Sequence, residues 1–199
     1  MDELLRYSLD QEPDLCVVLD GEGRIQFVNT AWRAESERMR SPAVDAERVL
    51  GLRYVDGVAG EIRHRIQQCL DEVLAGRASY GVTLHSECNT ASQLRHLSSY
   101  FSPLRDPQEQ IAGVIVRHQI RVEGALGDRY EVVEAAPDEL RDARGLLTQC
   151  SCCRRVRDGR DGKWRVVVAL MEQPVPDTSH GYCETCLSTY YRLEYCAQP

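Results

Sequence analysis

A chain of 199 residues, 43% hydrophobic and 28% charged, has room for one large domain or for a mid-sized domain followed by a small module. Its formal net charge of -7 argues against general nucleic-acid binding, because carboxylates outnumber the Lys and Arg that would neutralise a phosphate backbone. No apolar run approaches the roughly 20 residues of a bilayer-spanning helix, and the start MDELLRYSLDQEP has neither the basic nor the apolar part of a signal peptide, so a cytoplasmic protein without a membrane partner is expected.

Residues 1–12, with MDELLRYSL, have the pattern of an amphipathic helix or cap suited to a homodimer contact. DLCVVLD then ends in Asp20-Gly21-Glu22-Gly23 and is followed by RIQFVN, which predicts two strands joined by a tight turn. Asn29-Thr30 supplies a helix-capping residue for AWRAESERMR, closed by Ser41-Pro42. In GEIRHRIQQCLDEVLAG, Ile62, Ile66, Cys69, Leu70, Val73 and Leu74 recur at three- and four-residue spacings, and Gly76 ends the pattern. One face of this helix should pack on a sheet.

Three further strands are expected in ASYGVTLHS, QLRHLSSYFSPL and EQIAGVIVRHQI, with a turn at Arg105-Asp106-Pro107. Strand, strand, helices, then three strands predicts an α+β domain, an antiparallel five-stranded sheet with helices on one face. From 121 to 145, Gly124, Gly127 and Pro137 interrupt any long helix, and the segment reads as a linker holding at most a short helix at PDELRDARGLL.

DLCVVLDGEGRIQFVNTAW, VLGLRYVDGV and LRHLSSYFSPLRDPQEQIAGVIVRHQI resemble, in this order, the opening hairpin, middle loop and closing hairpin of a PAS sensory domain over residues 13–120. The resemblance implies either a small ligand or cofactor held between sheet and helices, or a relay and dimerisation role; it names no pocket ligand. The motif that carries the photoreactive cysteine of flavin-binding light sensors is not found, since Cys69 and Cys88 sit in other contexts. A haem sensor would need an axial ligand, for which His64, His85, His96 and His118 are the candidates, although solvation or sheet-face packing explains each more simply. Cys16 and Cys69 occupy apolar positions and read as small core residues.

The sharper chemistry lies in residues 146–199. A reducing cytosol disfavours disulfides, and nine cysteines cannot all pair, which leaves metal ligation or packing. Cys150 with Cys153 and Cys183 with Cys186 form two C-x2-C pairs separated by 29 residues, a pattern that supplies four soft thiolates for one tetrahedral ion. Zinc is expected, with iron as the alternative, in a small zinc-ribbon-like module whose metal compensates for a limited core. WRVVVALMEQ is expected as a strand or short helix, and the chain after Cys186 as a helix with Leu187, Tyr190, Tyr191 and Leu193 on its apolar side.

CSCCRRVRD, DGKW and SHGYCETC also resemble the cysteine module that follows PAS or receiver domains in many bacterial signalling proteins. That frame pairs Cys150 with Cys153, while Cys152 could substitute for Cys153 and His180 could replace a thiolate or donate to one. Cys196 is expected to be unligated. Arg154, Arg155 and Arg157 would lower neighbouring thiol pKa values, offset the charge of a tetrathiolate centre, or form a solvated face.

No phosphate-binding glycine loop or hydrolase motif is present, and a metal with four protein thiolates has no open position for water, so the chain is not expected to be an enzyme. The function expected is that of a sensor or adaptor signalling to a downstream protein by contact. The alternatives are a thiol redox sensor that releases its metal and, more weakly, a nucleic-acid-binding regulator.

Overall fold

In a computed structural model, which describes residues 3–39, 45–58, 60–89, 93–172 and 177–190, the N-terminal segment forms helix α1 (Glu3–Asp10). The expected hairpin follows as β1 (Leu15–Asp20) and β2 (Ile25–Val28). Helices α2 (Thr30–Met39), α3 (Ala46–Val49) and α4 (Gly60–Leu74) come next, then strands β3 (Val82–Glu87), β4 (Gln93–Arg105) and β5 (Ile111–Ala125). Ser41-Pro42, expected to close α2, lies outside the described residues. Gly76 sits at φ +73, the left-handed conformation in which glycine ends a helix without a Cβ clash.

The chain divides into two compact units, Met1–Leu84 with Ser98–Ile120, and His85–Leu97 with Arg121–Pro199. The five strands lie in the order β2-β1-β5-β4-β3, so the two ends of the first block meet at the sheet centre, where β1 pairs antiparallel with β5 from Leu15↔His118 to Asp20↔Gly113. Strand β1 has no polar alternation because both its faces are covered. Val17 and Leu19 join Ile66, Leu70, Val73 and Phe101 in the main core, whereas Val18 and Phe27 pack with Leu5 and Leu9 of α1. Helices therefore cover both faces of this sheet rather than one, since Val18 and Phe27 leave an apolar patch on the far side that α1 buries.

Asn29 ties this unit together. Fully buried, its side-chain oxygen accepts from the Cys16 amide (3.0 Å) and the Trp32 amide (3.0 Å), while its amide nitrogen donates to the carbonyls of Leu9 (3.2 Å), Glu12 (3.1 Å) and Asp14 (2.9 Å). One side chain thus caps α2, orients β1 and holds the end of α1. The neighbouring Thr30 amide and hydroxyl both donate to Asp10.

A second buried polar group spans the core. His118 of β5 is hydrogen-bonded through one ring nitrogen to the Tyr54 hydroxyl (2.8 Å) and through the other to the Ser99 hydroxyl (2.7 Å), one nitrogen donating and one accepting, with Trp32 and Tyr54 flanking its ring. Burial penalises the imidazolium and lowers its pKa to about 4.

In the second unit, β6 (Leu147–Cys150), β7 (Val156–Arg157) and β8 (Trp164–Arg165) precede α5 (Val168–Glu172), β9 (Thr178–Gly181) and α6 (Glu184–Tyr190). Both the strand and the helix readings of WRVVVALMEQ are realised, in succession. The sheet order is β8-β7-β6-β9, antiparallel except for the parallel pair β6 and β9. Residues 121–145, expected as a linker, take part in this packing: β5 continues to Ala125, and Leu126 and Leu140 are buried in clusters with Val166, Met171, Leu147 and Val156. Buried Asp158 accepts from Arg165 (2.7 Å) and from Arg160 (2.7 Å), and Arg165 also pairs with Asp161 and Glu131.

Two outcomes follow from the first unit. Asn29→Asp removes the donors and points a carboxylate at three carbonyls, so it should destabilise this unit more than Asn29→Ala, which itself should cost about 2–4 kcal/mol in urea unfolding. His118 is neutral when folded and takes a proton near its ordinary pKa of 6.5 when unfolded, so its contribution is fully present above pH 6.5 and falls away towards pH 4. The loss approaches ~3 kcal/mol, and the difference in unfolding free energy between wild type and His118→Gln should shrink by that amount as the pH falls from 6.5 towards 4.

Candidate metal centre

The four-cysteine site is assembled by one strand pairing. Cys150 ends β6, Cys153 lies in the turn before β7, Cys183 follows β9, and Cys186 sits in the first turn of α6. Parallel pairing of β6 with β9, with Cys150 opposite Gly181, carries the second C-x2-C pair to the first. All four side chains are buried, and their sulfurs lie within 4.8 Å of one another. Cys153 and Cys183 sulfurs are 3.7 Å apart. A tetrahedron with metal–sulfur bonds of about 2.3 Å has edges of about 3.8 Å. The cluster could hold a metal ion.

Backbone geometry makes the first pair point inward. The Cys150 amide donates to the Arg155 carbonyl (2.8 Å), and the Arg154 amide donates back to the Cys150 carbonyl (3.0 Å). Closing this loop places Arg154 at φ 61, a left-handed conformation costly for a residue with a Cβ. Its guanidinium is anchored on the Met171 carbonyl (2.7 Å), which helps to hold the turn. Amides also reach sulfur: Cys183 donates to Cys150 (3.5 Å) and Cys186 to Cys183 (3.4 Å).

Four thiolates in one buried space repel. The Cys153, Cys183 and Cys186 thiols are pushed upward chiefly by their contacts with Cys150, so the four sulfurs resist ionising together. A divalent ion would remove that conflict, and thiolate ligands are what a soft or borderline metal selects.

Arg155 supplies further positive charge. Only 4% exposed, it donates to Cys153 (3.0 Å) and Cys183 (3.2 Å), and its guanidinium lies 3.9 Å from the Tyr130 ring centroid. Tyr130 donates its hydroxyl to Glu87 (2.6 Å), whose carboxylate is 4.0 Å from Arg155. Burial and the Glu87 contact raise the Tyr130 pKa and keep the phenol protonated. Burial works against the Arg155 charge, but the Cys153 and Cys183 sulfurs outweigh it and hold its pKa above the ordinary value. Tetrahedral zinc with four thiolates carries a charge of about -2, and one guanidinium halves it.

The expected ligands are all brought together. His180 is exposed on β9 and lies outside the cluster, while Cys152 is half-buried against it without belonging to the four. Tyr191, Leu193 and Cys196 lie outside the described residues. Of the three arginines considered together, only Arg155 reaches sulfur; Arg157 is exposed and donates to the Gly162 carbonyl. Glu87 and Tyr130 escaped the sequence reading, because one ends a strand of the first block and the other falls in the supposed linker.

As for the haem candidates, both His118 nitrogens are engaged, His64 and His85 are exposed, and His96 bonds to Arg129 (2.9 Å). Cys16 is a buried thiol whose pKa is raised to about 11 by desolvation, which fits packing rather than chemistry. Replacing Arg155 by Met should weaken metal affinity about 10- to 100-fold in competition with a chromophoric chelator, and Tyr130→Phe by less.

The chain matches no curated protein in sequence. Among solved structures it is similar to the phage VqmA–DPO complex (18% identity, 59% of this chain and 51% of that one, TM-score 0.45). It is likewise similar to the PAS domain of Bordetella pertussis BvgS (20%, 60% and 85%, 0.46) and to the Vibrio cholerae VqmA dimer (18%, 68% and 56%, 0.45). This chain thus spans about half the length of the phage VqmA chain. Among the described residues no helix is long and apolar enough to cross a membrane. The family model of the PAS fold matches residues 9–119, more than half of the sequence, and the chain accordingly belongs to the PAS-fold family.

Proposed function

We propose that this protein is a cytoplasmic sensor or adaptor in which the PAS unit responds to a small ligand, a redox state or a partner. The second unit, held by a structural zinc ion, then passes that response to a downstream signalling protein by contact. The observation that carries this reading is the closed set of four buried sulfurs, which leaves a metal no position for water or substrate and so favours a structural over a catalytic role. Arg155 strengthens it, since hydrogen bonds to two of the sulfurs lower thiolate nucleophilicity. The resemblance of residues 146–191 to the cysteine module of bacterial signalling proteins points the same way, and homodimerisation is proposed from the habit of PAS domains.

Iron is the alternative metal. A nucleic-acid role for the stretch from Arg154 to Arg165 has little support, because Arg155, Arg160 and Arg165 pair with sulfurs and carboxylates of their own unit.

Freshly purified protein should contain one zinc per chain, with a featureless visible spectrum; a red, iron-containing protein would overturn the choice of metal. Cys150→Ser should lose the ion, and hydrogen exchange of residues 147–157 and 178–190 should then rise towards unfolded rates while β1 and β5 keep their protection. Intrinsic kinase, cyclase or hydrolase turnover would overturn the adaptor reading.

A further inference from the structure

The centre has two unlike sides. Cys153 and Cys183 are both capped by Arg155, and Cys183 accepts in addition from the Cys186 amide. Cys150 accepts from the Cys183 amide, while none of the N–H donors to sulfur among the described residues reaches Cys186. Beside the four stands a fifth sulfur. Cys152 packs against the four and is only partly buried, where the ligand residues are 1–5% exposed.

We propose that Cys152 is an oxidant-accessible thiol built into the edge of the metal centre, which forms a disulfide with Cys186 and thereby opens the site. This rests on reading the four cysteines as a metal centre, and it adds a reaction that the structural role does not require.

Hydrogen peroxide, or another small peroxide, is the co-reactant. The Cys152 sulfur attacks one peroxide oxygen as the O–O bond breaks, its thiol proton leaves with the departing oxygen as water, and Cys152 becomes a sulfenic acid. The Cys186 thiolate then attacks the Cys152 sulfur, an S–S bond forms, and hydroxide leaves. Two sulfurs have together given two electrons to one peroxide. The ion keeps three thiolates in a site built for four and is released.

Burial selects the entry point: peroxide meets Cys152 before any ligand. Cys186 is selected as its partner because Cys150 lies only two residues away, where a disulfide would close a strained small ring, and because Arg155 masks the other two. Cys88, exposed and outside the cluster, is an internal reference thiol.

The test uses the full-length protein with its metal content measured first. One equivalent of hydrogen peroxide is added, metal release is followed with a chromophoric indicator, and disulfides are mapped by mass spectrometry of non-reduced peptides. The expected result is a Cys152–Cys186 disulfide formed in step with metal loss, with release slowed about tenfold or more in Cys152→Ser and unchanged in Cys88→Ser. Wild-type release from a metal-loaded Cys152→Ser protein, or a first disulfide between Cys153 and Cys183, would overturn the inference while leaving the structural metal reading intact. A chain that purifies without metal and takes none up overturns that reading and this inference together.

Discussion

Four sulfurs buried within 4.8 Å of one another can all ionise only where positive charge offsets them, and much of the second unit is arranged to meet that demand. A divalent ion held there would provide the larger part, and the Arg155 guanidinium supplies the rest. The guanidinium is itself costly to bury, so it lies on the Tyr130 ring and beside Glu87, which Tyr130 in turn steadies. Removing any member of that series leaves a neighbour's charge or hydrogen-bonding group buried without its partner. The sheet's unusual parallel pair, β6 with β9, exists at the same place because it is what carries Cys183 and Cys186 to Cys150 and Cys153.

The PAS unit solves a similar problem with neutral groups. Its opening hairpin and closing strand meet through β1 and β5, and the polar groups enclosed by that meeting are satisfied locally by Asn29 and by the Tyr54–His118–Ser99 series. Burial keeps His118 uncharged, whereas Arg155 stays charged in a comparably buried place because the Cys153 and Cys183 sulfurs lie against it. The two units thus show opposite outcomes of one desolvation cost, decided by what each buried cation finds beside it.

Much of this was readable from the chain. The helix over Gly60–Leu74 announced itself by periodicity, and Gly76 by its position at the stop. Asn29 was expected only as a cap, yet its side chain also holds α1 and β1, contacts separated by up to 20 residues that no local pattern encodes. The glycines and proline of residues 121–145 break helices without preventing packing, and Leu126 and Leu140 share clusters with residues as far as Met171 and Leu170, 45 and 30 positions onward. His180 and Cys152 were rivals for a ligand place; the direction of the β9 edge exposes the first, and the turn after Cys150 leaves the second beside the cluster.

The sequence by itself determined that two C-x2-C pairs would supply one tetrahedral set of sulfurs, because that chemistry depends on residue type and short spacing. It also determined the PAS order of strands and helices, which follows from hydrophobic period and turn residues. Only the tertiary structure decided which arginine meets the sulfurs, that Tyr130 and Glu87 stand behind it, and that Cys152 borders the four. Those are facts of distance between segments far apart in the chain, and burial turns such distances into energy only after the fold has brought them together.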